Sequence, residues 1–275
     1  MRFADLHLHT SFSDGTFTPS ELIQEAAGAG LSAISVVDHD NIDAISPAIE
    51  AGAGNNIEVV PGIEISAEFE GIEIHILGYF IDHNDGRLRD KLEELRKVRL
   101  ERVYKISDKL KSIGIDLDPQ KVFEIAEDGT VGRLHIARAL VKQGAVSSTA
   151  EAFQKYVGDN CPAYVCGFRF SPFEAIKLIK QSKGIPVLAH PYVYRKDELI
   201  PQFVDLGLMG LEIYYPEHTQ SMINFYLEMA KKYSLLITGG SDCHGRAKPE
   251  AKIGMVKLPY EYVEKLKEAR NRING

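Results

Sequence analysis

The chain contains no tryptophan, only three cysteines, and no apolar run approaching the roughly 18 residues that a membrane span needs. Cys161, Cys166 and Cys243 are an odd number and do not point to a disulfide framework. The Cys161/Cys166 pair lacks the second pair that a structural zinc site requires, so both read as plain thiols. Positive charge is in deficit. With 32 Lys and Arg against 39 Asp and Glu, the formal net charge is −7, and no global field draws the chain to nucleic acid. A phosphate-bearing substrate would need a local positive site, which divalent cations among acidic ligands supply without adding lysine or arginine. Also missing are a glycine-rich phosphate loop, an internal repeat, a low-complexity tract and an N-terminal signal-peptide segment. The expectation is a cytoplasmic protein with no membrane attachment, and nothing implies a stable protein partner.

What is present is an ordinary globular composition, 44% hydrophobic and 26% charged, over 275 residues. That length suits one large domain, or one domain carrying a sizeable insertion. Strand and helix signals alternate through the first part. Arg2 to His9 reads as a buried strand. Thr18-Pro19-Ser20-Glu21 then opens a helix, with Thr18 as N-cap, Pro19 at the first helical position and Glu21 at capping-box spacing. Strand Leu31 to Val37, a helix from about Ile42 to Ala51, strand Ile57 to Val60 and strand Gly71 to Phe80 follow.

From about residue 89 to 167 the alternation gives way to helices. Leu92, Leu95, Val98, Ile106, Leu110 and Ile113 predict one long amphipathic helix, and Pro119 to Ala126, Leu134 to Gln143 and Thr149 to Tyr156 predict three shorter ones. Alternation resumes with helix Pro172 to Gln181, strand Ile185 to His190, a helical segment near Leu199 to Val204, strand Leu208 to Tyr214 and helix Gln220 to Tyr233. Strands Leu235 to Gly239 and Met255 to Leu258 precede a C-terminal helix. About seven β/α units predict an α/β fold, a TIM-like barrel with its active site at the C-terminal ends of the strands. Residues 1–88 and 168–275 form the barrel, and 89–167 an inserted small all-helical domain.

Chemistry is concentrated in six short clusters: Asp5-Leu6-His7-Leu8-His9-Thr10, Asp38-His39-Asp40, Gly62-Ile63-Glu64, Glu73-Ile74-His75, Ala189-His190-Pro191 and Ser241-Asp242-Cys243-His244. Most sit at the end of a predicted strand. His7 and His9, two apart, aim both imidazoles to one side, and Asp242 and His244 repeat that spacing after the Thr238-Gly239-Gly240 turn. Asp14 lies in a Ser-Asp-Gly turn. Glu64 follows the Pro61-Gly62 bend, where a carboxylate can bridge two cations. His75 lies within the fourth strand and His190 ends a later one. Buried His, Asp and Glu cost several kcal/mol each unless paired, bonded or metal-bound, so nine converging groups are untenable as neutral core. Imidazole with carboxylate suits zinc, manganese or iron and weighs against magnesium alone.

These residues resemble the PHP (polymerase and histidinol phosphatase) domain family, over residues 1 to about 88 and 168 to 275. The resemblance implies a distorted seven-stranded β/α barrel and a phosphoester hydrolase with three divalent ions, manganese first, with zinc or iron(II) as alternatives. It implies His7, His9, Glu64 and Asp242 on one metal, Asp14, His39 and His244 on a second, and Glu64, His75 and His190 on a third. Asp5-Leu6-His7-Leu8-His9-Thr10-x-x-Ser13-Asp14-Gly15-Thr16 and Gly132-Arg133-Leu134-His135 look most like the family's stand-alone phosphoesterases with a helical insertion. That branch implies 3′,5′-nucleoside bisphosphate phosphatase or 5′-to-3′ exonuclease activity, and hence a nucleotide or short 5′-phosphorylated oligonucleotide as substrate. The alternatives are a small-metabolite phosphatase of the histidinol-phosphate type and a metal-binding module without catalysis.

The insertion is expected to cover the site and touch the substrate. A helix over Gly132 to Gln143 places Leu134, Ile136, Ala137, Leu140 and Val141 on an apolar face, and His135, Arg138 and Lys142 opposite. Arg133 falls in the first turn, beside free backbone N–H groups that favour anions. Arg133, His135, Arg138 and His218 are the candidate substrate contacts, and Glu64, Arg133, His135 and His218 the candidate catalytic groups; Arg169 is a further candidate. The expected reaction is in-line attack on phosphorus by water activated at the metals, with arginine offsetting the developing charge.

Overall fold

The computed structural model describes residues 1–166 and 170–274. Its elements in chain order are β1 (Phe3–Leu8), α1 (Pro19–Gly28), β2 (Ala33–Val36), α2 (Ile45–Gly54), β3 (Glu58–Phe69), β4 (Ile72–Tyr79), α3 (Gly86–Ser112), α4 (Pro119–Ala126), α5 (Arg133–Lys142) and α6 (Thr149–Ala152). They continue with α7 (Pro172–Gln181), β5 (Ile185–Leu188), α8 (Ile200–Asp205), β6 (Gly210–Tyr214), α9 (Gln220–Tyr233), β7 (Leu236–Gly239), β8 (Leu258–Pro259) and α10 (Glu261–Asn274). The strand order is β7-β6-β5-β4-β3-β2-β1-β8. The sheet curls almost closed, because the segment after β7 returns to β1: Leu8 forms a parallel bridge with Cys243, and the His9 N–H donates to the Cys243 carbonyl. Gly240 permits this contact. A Cβ there would lie 2.3 Å from the His7 nitrogen.

The family resemblance implies seven strands; the sheet has eight, the last of them slight. The predicted strand Met255 to Leu258 shrinks to Leu258–Pro259, paired antiparallel with β1, and the contact continues only as the Tyr260 N–H donating to the Arg2 carbonyl. β3 is far longer than predicted and runs on through Pro61 and Gly62 to Phe69. It then turns into β4, so β4 lies antiparallel to both β3 and β5, whereas the other pairs among β1 to β7 are parallel. Helix α2 starts three residues later than predicted, because the Asn41 side chain accepts the Asp43 N–H and holds the chain in a turn. Thr18 caps α1 as expected, with Glu21 returning a bond to the Thr18 N–H.

Period-two alternation sorts the two faces of β3 and β4. Ile63, Ile65, Ala67, Ile74 and Ile76 pack outward with Ile176 and Ile179 of α7. The opposite face carries Glu64, Ser66, Glu73 and His75, and continues into Leu77 and Tyr79, which pack with Val187 of β5 and with Val263 and Leu266 of α10. Polar groups therefore occupy one end of the ring and apolar groups the other. Burying each of the larger apolar side chains contributes about 1.5–3 kcal/mol, which supports the cost of the polar end. Helices α3 to α6 build a separate apolar cluster, including Val103, Ile106, Leu110, Val122, Ile136 and Leu140. No helix among the described residues is long and apolar enough to cross a membrane. Arg169 lies outside the described residues.

Candidate metal centre

All nine ligand candidates meet at the polar end of the ring. Within 4.8 Å of one another lie donor atoms of His9, Asp14, His39 and His244; of His7, His9 and Asp242; of His7, Glu64 and His190; and of His39, Glu64 and His75. Asp14, His39 and His244 group as expected, with His9 joining them, whereas His75 and His190 fall in different groups that both include Glu64. Glu64 is the hub. Its Oε2 lies 3.2 Å from His7 Nε2, 3.2 Å from His9 Nε2 and 3.3 Å from His39 Nδ1. Its Oε1 lies 2.8 Å from His75 Nδ1 and 3.2 Å from His190 Nε2. His75 reaches the site from the first half of its strand rather than from a C-terminal end, because β4 runs antiparallel.

The donor set fits divalent metal ions. Both ring nitrogens of His9, Asp14 Oδ1 and His39 Nδ1 are buried without a hydrogen-bond partner. His9 Nε2 stands 3.2 Å from both Glu64 and Asp242 without hydrogen-bonding geometry to either. Unpaired buried groups are costly, and lone pairs aimed at a common point are what a cation satisfies. The backbone is strained at two of these residues: His190 has φ of 26° and Asp242 of 52°.

Electrostatics follow from the crowding. Burial alone would raise the Glu64 carboxyl, but the His39, His75 and His7 rings outweigh it and hold it well below its ordinary value. Asp14 is lowered likewise against burial by His244 and His39, and Asp242 by Lys248 and His7. Burial opposes charge on His9 and His75, yet Asp242 and Glu64 bring His9 up to about 9, and Glu64 and Glu73 bring His75 up to about 10. At His39 burial prevails and the ring is held well below its ordinary value.

A second set of side chains orients the first. Glu212 Oε1 meets His7 Nδ1 at 2.9 Å and its Oε2 accepts the His190 N–H. Tyr194 Oη contacts His190 Nδ1 at 3.0 Å and accepts the His75 N–H. Tyr215 and Lys248 donate to Asp242 Oδ2. Asp38 accepts from the Thr10 N–H and from the Thr10 and Ser13 hydroxyls, and so shapes the turn that carries Asp14. Among these, Asp38 stood inside a recognised cluster; Glu212, Tyr194, Tyr215 and Lys248 carried no motif that would single them out.

The cluster opens into a cavity of ≈ 380 Å³. Its wall includes Gly132, Arg133, Thr149 and Phe153 from the helical stretch, and Val193, Tyr215, Glu217 and Lys248 from the later part of the chain. Arg133 faces this space and pairs with Asp159 at 2.6 Å and Glu73 at 3.2 Å. His135 does not line it. The sequence placed His135 on the polar face of its helix, but it is 1% exposed, because α5 packs on more than one side. Its Nδ1 accepts the Gly132 N–H, and burial pushes the ring down to about 4 despite Asp14. Arg138 is half-buried and lies off the lining. His218 is buried rather than in an exposed loop: its Nδ1 donates to the Ile213 carbonyl, its ring sits against Tyr192, Tyr215 and Tyr226, and it too lies off the lining.

Comparison with known proteins agrees with this geometry. The PHP domain profile matches residues 5–161. A 5′-3′ exoribonuclease of Haemophilus influenzae is 34% identical over 245 residues, covering 87% of this chain and 89% of that protein. A 3′,5′-nucleoside bisphosphate phosphatase of Chromobacterium violaceum is 30% identical over 246 residues, covering 87% and 86%. A crystal structure from Bifidobacterium adolescentis, described as that of a metal-dependent phosphoesterase, superposes with a TM-score of 0.89 at 30% identity, covering 98% of this chain and 96% of that one. With the ring and its converging donors already in place, these likenesses lead to one conclusion: the chain belongs to the PHP domain family and is one of its metal-dependent phosphoester hydrolases.

Proposed function

We propose that the chain hydrolyses phosphate esters of nucleotides, converting a nucleoside 3′,5′-bisphosphate to the 5′-monophosphate or trimming short 5′-phosphorylated oligonucleotides. The observation that carries this reading is the convergence of nine imidazole and carboxylate groups, seven of which line a cavity that Arg133 also lines. Three divalent cations fit the donor groups, manganese first, with zinc or iron(II) as alternatives. His7, His9, Asp242 and Glu64 would hold one, Asp14, His39 and His244 a second, and Glu64, His75 and His190 a third. Cations bound there supply Lewis-acid charge to the phosphoryl oxygens and acidify water.

The chain's own groups do the rest. Glu64 offers one oxygen to His7, His9 and His39 and the other to His75 and His190, the position of a bridging ligand. Arg133 lines the cavity, where its charge would offset that of an anionic substrate. Phe153 and Tyr215 line the cavity, aromatic residues of the kind against which a base stacks. The volume falls within the ligand-pocket range of about 300–1,000 Å³. In this reading residues 89–167 are an inserted helical domain that covers the centre, and His135, Arg138 and His218 stand behind the residues that meet substrate. The test compares turnover of adenosine 3′,5′-bisphosphate, a 5′-phosphorylated oligonucleotide and histidinol phosphate with manganese added. The highest kcat/KM is expected for one of the nucleotides; preference for histidinol phosphate overturns the reading.

A further inference from the structure

Glu73 belongs to none of the ligand groups, yet it is buried against them. Its Oε1 lies 3.1 Å from His75 Nε2, the ring nitrogen opposite the one that faces Glu64. Its Oε2 lies 2.7 Å from Arg102 Nη2 and 3.2 Å from Arg133 Nη2. Arg102 comes from α3 and Arg133 from the start of α5, whereas Glu73 and His75 share one face of β4. A single carboxylate thus joins a barrel strand to two helices of the stretch that walls the cavity.

We propose that Glu73 is a positioning residue that sets His75 and Arg133 relative to each other, so that metal binding and substrate binding depend on the same side chain. This rests on reading His75 as a metal ligand and Arg133 as a substrate contact. Accepting the proton on His75 Nε2 leaves Nδ1 as a lone pair aimed toward Glu64, the tautomer a metal ligand needs. In the metal-free chain Nδ1 and Glu64 Oε1, 2.8 Å apart, share a proton, whose place a bound cation would take. On its other oxygen, Glu73 shares a fixed anchor between two guanidinium groups. Arg133, held also by Asp159 and by the Val157 carbonyl, therefore enters the cavity in one set orientation.

The test uses the full chain as Glu73→Gln and Glu73→Asp, with His75→Ala and Arg133→Ala as references. Manganese binding is followed by calorimetry without turnover, and kcat and KM with adenosine 3′,5′-bisphosphate. Glu73→Gln keeps the shape but loses the charge. It is expected to bind one class of manganese 10–100-fold more weakly, as loss of an orienting partner does, and to raise KM. Glu73→Asp, which keeps the charge, is expected to recover part of both, a rescue that a merely structural role would not give. Arg133→Ala is expected to raise KM while leaving manganese binding near wild type. Folded Glu73→Gln with wild-type manganese affinity and KM overturns the proposal. Should His75→Ala bind manganese as tightly as the wild type, the ligand reading itself fails, and this inference with it.

Discussion

Tyr194 touches two candidate ligand histidines at once, accepting the His75 N–H and meeting His190 Nδ1. For His190 Nε2, 3.2 Å from Glu64 Oε1, to offer its lone pair to a cation, Nδ1 must carry the ring proton and donate it to Tyr194 Oη, which then accepts from both histidines. Tyr194→Phe keeps the ring and deletes only the hydroxyl. It is expected to weaken manganese binding about 10-fold, in the range for loss of an outer partner, with far-ultraviolet circular dichroism unchanged. Unaltered metal affinity would contradict the orienting role. The sequence made the nine ligand candidates legible because imidazoles and carboxylates at strand ends are poor core residues and stand out there. Tyr194, Glu212 and Lys248 were not legible for the converse reason: a tyrosine in a loop, a glutamate in a strand and a lysine in a turn each have ordinary uses. Only the folded positions bring them against His190, His7 and Asp242.

At the scale of elements, the amphipathic pattern of α3 was readable from its leucines, but two arginines share its buried face. Arg99 reaches Asp40, Ser66 and the Val131 carbonyl, and Arg102 reaches Glu73 and the Val165 carbonyl. Their spacing from Leu92, Leu95 and Ile106 was a signal: a charge on the apolar stripe of a helix needs a buried partner. The reversed direction of β4 left less trace, because a hairpin and a parallel crossover can begin with the same strand pattern. Helix α5 carries a pH dependence. His135 falls from its ordinary 6.5 to about 4 in the fold, so the unfolded chain binds more protons between those values. Stability from this residue is therefore present above about pH 6.5 and lost as the pH falls towards 4. His135→Gln in the metal-free chain is expected to flatten the decline in unfolding free energy over that window. A decline as steep as in the wild type would show that His135 titrates normally.

Across the whole molecule, the ring separates an apolar end that holds the fold from a polar end that strains it. Asp14, Glu64 and Asp242 bear negative charge among imidazoles, and the backbone is forced to positive φ at His190 and Asp242. Cations bound only by the folded chain stabilise it by mass action, by about 2.7 kcal/mol at a concentration 100 times the dissociation constant. Manganese is accordingly expected to raise the thermal midpoint by several degrees, and a chelator to reverse the gain; a midpoint indifferent to both would separate the cluster from metal. The most direct measurement is phosphate release from adenosine 3′,5′-bisphosphate by the manganese-loaded wild type and by Glu64→Ala, each checked for folding. Steady release of phosphate and the 5′-monophosphate by the wild type, with no detectable release by Glu64→Ala, is the expected result. Normal turnover by Glu64→Ala, or an inert wild type, would contradict a hydrolytic centre built around Glu64.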